Sequence, residues 1–145
     1  MSTWRRFRPP GEQHAELVAT ESHDEVANGK ARVASEIDPH DPDSWFAQKR
    51  TTLAAALVLT APGIPMLFQG QEFLEDDYFR DDDPLVWGKA VTHAGILQLY
   101  KDLIRLRRNW FNHTRGLRGP HVNVHHVNQQ DKVLAFHRWD QGGPG

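Results

Sequence analysis

The stretch at residues 62–72, Pro-Gly-Ile-Pro-Met-Leu-Phe-Gln-Gly-Gln-Glu, constrains this chain more than any other. Its centre, 64–69, is continuously apolar through Met66, Leu67 and Phe68, with turn formers on both sides. An apolar run of strand length without polar alternation reads as a strand buried on both faces. A second short apolar run, 14–20, leads into the charged cluster Glu21-Ser-His-Asp-Glu25. Between them, Pro42, Asp43 and Ser44 look like a helix start, and 45–60 follows until Pro62-Gly63 stops it. That helix is apolar almost all round in its C-terminal half, as when a helix is pressed between other layers. Buried strands alternating with helices belong to a parallel sheet with helices outside.

Residues 26–43 read as loop, with Asn28-Gly29, Asp38-Pro39 and Asp41-Pro42 as turn formers. The clearest helix is 92–109, where Ile96, Leu99, Leu103 and Leu106 form one stripe that Tyr100 and Ile104 widen. Arg105, Arg107 and Arg108 sit in its last turn, where cations suit the helix dipole. Beyond Gly116 and Gly119-Pro120 the pattern changes to alternation: Val122, Val124 and Val127, then 133–136, with Asp131 between the runs marking a hairpin. The order is strand, helix, strand, helix, β-hairpin. Two parallel strands do not close a sheet, so further strands are expected from outside this sequence.

Composition excludes more than it selects. The 145 residues are 39% hydrophobic and 25% charged, enough for a core, and the formal net charge of −2 offers no field for nucleic acid or an anionic membrane. There is no cysteine, hence no disulfide, thiolate metal site or cysteine nucleophile. This fits a reducing, cytoplasmic setting. The basic N-terminus lacks an apolar segment behind it, so no secretory signal is expected, and the longest apolar stretch is broken by prolines and too short to span a bilayer.

In parallel α/β folds functional groups collect at the carboxyl ends of strands, where the loops are free to vary. Both strands here end in polar clusters, Glu21–Glu25 and Gln69–Glu72. With Glu21-Ser-His-Asp24, a helix, and then Ala61-Pro-Gly-Ile-Pro-Met-Leu-Phe-Gln-Gly-Gln-Glu72, the chain resembles the late part of the α-amylase family, glycoside hydrolase family 13, over about residues 15–110. The Glu-Ser pair ahead of His-Asp is most similar to 1,4-α-glucan branching enzymes.

The resemblance implies an α/β fold: a fragment of a (β/α)8 TIM barrel, strand seven to helix eight, followed by the first strands of a β-sandwich. Residues 1–13 would be a lead-in, 14–112 the last quarter of the catalytic barrel, and 113–145 the start of the C-terminal β domain. It also implies roles. Asp24 matches the carboxylate that stabilises the transition state, and His23 the histidine that hydrogen-bonds the reacting sugar. Glu21, Gln71, Glu72, Phe73 and Trp87 join His23 as expected substrate-binding residues. The residue types suit the chemistry, since an oxocarbenium-like transition state gains positive charge that a fixed carboxylate favours over the neutral ground state.

Retaining glycoside chemistry also needs a carboxylate nucleophile and a carboxylic acid about 5 Å apart. No residues here match the family's motifs for those two, so the chain alone is expected to be inactive. The expected partner is an α-1,4-glucan such as glycogen, starch or a maltooligosaccharide, with the remainder of the barrel needed for activity. No cofactor is expected. Nor is a metal: the acidic loop 73–87 lacks spaced calcium ligands, and His121, His125 and His126 lie in an alternating strand without a ligand triad. Amylase-type hydrolysis, or a non-enzymatic α/β interaction module, are the alternatives to branching.

Overall fold

The computed structural model describes residues 16–27 and 32–142. The lead-in 1–13, the start of the 14–20 run, the Asn28-Gly29 turn and the last three residues lie outside that range.

The described chain is mixed, with small sheets. Strands β1 (Leu17–Val18) and β2 (Ile64–Pro65) pair in parallel, Leu17 beside Ile64 and Val18 beside Pro65. Only these pairs form regular strand, shorter than the apolar runs suggest, because a strand extends only as far as its ladder, and each of the two has one partner among the described residues. The connection from β1 to β2 passes through three helices: α1 (His23–Val26), α2 (Val33–Ile37) and α3 (Trp45–Thr60). Residues 26–43 therefore hold more helix than a loop reading allows. At four and five residues, α1 and α2 are too short to display a 3.6-residue period.

Helix α3 has the boundaries its sequence announces. Ser44 caps it, its hydroxyl accepting from the Ala47 amide at 3.2 Å, and Gly63 after it adopts φ +112°. Its small residues, Ala47, Thr51 and Ala55, are buried with Val58 and Leu59, whereas Trp45, Phe46, Leu53 and Leu57 are exposed. Among the described residues this helix is thus covered on one side, not pressed between layers.

The 92–109 segment divides into α4 (Lys89–Thr92) and α5 (Ala94–Arg107), broken at His93. The stripe on α5 behaves as its spacing requires: Ile96, Tyr100 and Leu103 are buried, with Leu99 and Ile104 packed beside them against Ala34, Ala55, Leu59 and Leu74. Arg107 is more than a solvated helix end. It donates to the Ala61 carbonyl at 2.6 Å and to that of Gly63, fixing the α3–β2 turn. Antiparallel β3 (His121–Asn128) and β4 (Val133–Trp139) form the expected hairpin. It is anchored to the helical part by Arg138, which donates to the Thr60 carbonyl at 2.6 Å and to that of Gly119.

Candidate active site

Parallel pairing of β1 with β2 sends both polar clusters to the same end of the small sheet. Gln71, buried in a short 3-10 turn (Gln71–Phe73), ties them together. Its amide donates to the Thr20 hydroxyl at 2.6 Å, and its side-chain carbonyl accepts from the Phe68 amide at 3.0 Å.

His23 and Asp24 open helix α1. The Ser22 hydroxyl accepts from the Glu25 amide at 3.4 Å, which suits an N-cap serine. His23 Nε2 lies 3.2 Å from Asp24 Oδ1, and the two side chains are 70% and 79% exposed. Both side chains are therefore largely exposed to solvent beyond the strand end.

Beneath them the acids are differently employed. Glu21 is 4% exposed. One carboxylate oxygen accepts from the Val33 amide at 2.9 Å, the other from Arg32 Nη1 at 3.1 Å. Burial pushes the Glu21 carboxyl above the ordinary range, against the opposing pull of the Val33 amide and the Arg32 charge, and the nearby Glu72 charge adds to the rise. Arg32, 1% exposed, is the hub of this region. Besides Glu21 it donates to the carbonyls of Gln69 at 2.9 Å and Asp77 at 3.2 Å, and its guanidinium lies 4.6 Å from the Phe68 ring centroid. It thus joins the ends of both strands to the loop that follows β2. In the sequence Arg32 is only an arginine between turn formers, which becomes meaningful when its partners are known.

The acidic loop 73–87 is largely self-organised. Buried Glu75 accepts from the amides of Asp76 at 3.1 Å, Asp77 at 3.3 Å and Val86 at 2.8 Å, closing the loop around one carboxylate. Lys89 pairs with Asp76. The carboxylates of Glu75, Asp76 and Asp77 cluster, but these amide and lysine contacts already account for two of the three. Ser35 donates to the Asp76 carbonyl at 3.2 Å, and the Tyr78 hydroxyl to the Ala27 carbonyl, so the loop is stapled to the α1–α2 segment.

Of the aromatic residues expected to meet substrate, Phe73 is 1% exposed and Trp87 is 66% exposed. Their rings touch at 5.5 Å between centroids, so Phe73 acts as a backing for Trp87. Glu72 is half-buried. His23, Asp24 and Trp87 are thus exposed, whereas Glu21 and Gln71 are buried in internal bonds. A cleft of about 580 Å³ runs under the loop, lined by Arg32, Gln69, Tyr78, Phe79, Arg80 and Asp83 among others. His23 and Asp24 are not among its lining residues. No helix among the described residues is long and apolar enough to cross a membrane.

The chain is 35% identical over 97 residues to a 1,4-alpha-glucan branching enzyme of Paramagnetospirillum magneticum, covering 66% of this chain and 13% of that protein. A 1,4-alpha-glucan branching enzyme of Myxococcus xanthus is 39% identical over 92 residues, 61% of this chain and 12% of its own length. Over that stretch the chain is homologous to branching enzymes. This bears out the resemblance to the α-amylase family over part of the chain. Neopullulanase 2 of Thermoactinomyces vulgaris is 27% identical over an alignment of 150 positions, 92% of this chain and 24% of that enzyme. No family model matches the chain. It spans about an eighth of the length of the branching enzymes it matches.

Proposed function

We propose that this chain is the strand-seven-to-helix-eight portion of a (β/α)8 barrel, followed by the start of a β-sandwich domain, from an enzyme that branches α-1,4-glucans by a retaining mechanism. The observation that carries the reading is the exposed His23–Asp24 pair following β1, at the same end of the small parallel sheet as the Gln69–Glu72 cluster that follows β2. The similarity to branching enzymes supports a glucan as the ligand. In this reading Asp24 stabilises the oxocarbenium-like transition state and His23 hydrogen-bonds the reacting glucose. Trp87 offers an exposed ring for a sugar face. Glu21 and Gln71 serve by holding the two strand ends together. The carboxylate nucleophile and the acid that protonates the leaving oxygen come from outside these 145 residues, so the chain alone binds glucan but does not cleave it. A hydrolytic parent is the second reading, favoured by the similarity to a neopullulanase over more of the chain.

The test is a chimera in which residues 16–112 replace the matching segment of the Paramagnetospirillum magneticum branching enzyme. Loss of iodine staining of amylose, with new α-1,6 linkages, is expected, and Asp24→Ala should lower that rate by about 10²–10³-fold, as for removal of one transition-state stabiliser. New reducing ends without α-1,6 linkages would favour the hydrolytic reading. Amylose turnover by the unmodified 145-residue chain, abolished by Asp24→Ala, would overturn the proposed inactivity of the isolated chain.

A further inference from the structure

The two faces of the β3–β4 hairpin differ in kind. Register pairs Val124 with Phe136 and Val127 with Leu134 on one face, and His121 with Trp139 and Asn123 with His137 on the other. The register then shifts between Val124 and His126, leaving His125 as the extra residue. A bulge of this sort re-aims a side chain. Here it brings the His125 ring onto that of His137, centroids 4.3 Å apart and 13° from parallel. His137 in turn contacts Trp139 at 4.9 Å, and Trp139 stacks on His121 at 5.3 Å.

Within this ladder His125 Nε2 and His137 Nδ1 meet within hydrogen-bonding reach. Neutral imidazole has one nitrogen with a proton and one with a lone pair. Two such nitrogens converging from facing strands can share one proton or, with each ring's proton on its far nitrogen, donate both lone pairs to one cation. Imidazole nitrogens suit copper, nickel and zinc, and not magnesium or calcium, which prefer oxygen. The terminal torsion of histidine is broad, so both rings can turn their lone pairs onto a common centre without leaving the strand positions. His125 is exposed and His137 half-exposed, so water can complete the coordination.

We propose that His125 and His137 form a two-imidazole site for a divalent transition ion of the copper, nickel or zinc class, clipping β3 to β4 across the bulge. The site is independent of the glucan reading. Binding moves the shared proton to the far nitrogen of its ring, leaving both imidazoles neutral, and follows the order copper tightest, then nickel and zinc.

The test is titration of the full chain with Cu(II), Ni(II), Zn(II) and Mg(II) separately, followed by calorimetry and tryptophan emission. One equivalent of Cu(II) should bind and quench emission, because Trp139 contacts His137 directly; Trp139→Phe should remove much of the quenching and leave the stoichiometry intact. His137→Gln, on the regular strand, and His125→Gln, at the bulge, should each weaken Cu(II) binding well beyond tenfold, since losing even a supporting contact to a ligand costs about 10- to 100-fold. His121→Gln and His126→Gln should leave it within about threefold, a bound set from the same scale. Far-UV circular dichroism verifies that each variant keeps its secondary structure. Retention of the stoichiometric site in the His125→Gln/His137→Gln double variant, equal loss in the His121 and His126 variants, or binding of Cu(II) no tighter than Mg(II) would overturn the proposal.

Discussion

Replacing Arg32 by Met tests the organisation of the candidate site most directly. Met keeps much of the side-chain length and removes the charge. Glu21, 4% exposed, would retain one hydrogen bond, from the Val33 amide, and lose its countercharge at 3.1 Å. The carbonyls of Gln69 and Asp77 also lose a donor, each a smaller loss than a buried charge left without its partner. The loss is therefore dominated by a buried, uncompensated carboxylate, about 3–5 kcal/mol. Removing both partners, Glu21→Leu with Arg32→Met, should recover most of that loss, because no buried charge is left without a partner.

The pH dependence has a definite sign. The Glu21 carboxyl already titrates above its ordinary value through burial. Between the unfolded and folded values the native state holds more protons than the unfolded state, so the contribution of Glu21 to stability falls as pH rises through that window. Without Arg32 the window extends further upward. The gap between parent and Arg32→Met should accordingly be small near pH 5 and widen toward pH 8. Urea unfolding followed by circular dichroism at pH 5, 7 and 8 measures it. An Arg32→Met variant within about 1 kcal/mol of the parent at pH 7, the scale of an exposed ion pair, or a gap that does not change with pH, would refute the argument.

Two further outcomes follow from the packing. Gly63 sits at φ +112°, and a Cβ there would lie 2.5 Å from the Glu16 carbonyl oxygen that receives the Ile64 amide; Gly63→Ala should cost at least about 1–3 kcal/mol and raise hydrogen exchange at the Ile64 and Met66 amides, with unchanged exchange as the contrary result. Arg138→Ala removes the bond to the Thr60 carbonyl that anchors the hairpin to α3; a charge-assisted bond of about 1.5–3 kcal/mol is lost, and limited proteolysis should accelerate within 112–120 while α5 stays protected.

Where sequence and structure agree, the causes are local. Ser44 and Pro62-Gly63 delimit α3 through capping and backbone geometry that need no distant partner. The stripe from Ile96 to Leu103 identifies the buried face of α5 because 3.6-residue spacing alone puts those side chains on one side. Alternating valines likewise announce the hairpin. The short helices α1 and α2 escape such reading, being shorter than the period that would betray them.

What only the tertiary structure decided is the division of labour among the acids. By residue type Glu21, Asp24 and Glu72 were equally eligible for a sugar site. Folding carries Arg32 under the sheet end, where it meets Glu21, the Gln69 carbonyl and the Asp77 carbonyl at once. Three partners from three separate stretches of chain fix one arginine, and no spacing along the sequence encodes that meeting. The consequence is physical: a carboxylate that accepts from a buried guanidinium and an amide is committed to structure, while Asp24, opening a helix beside His23, keeps its side chain largely exposed.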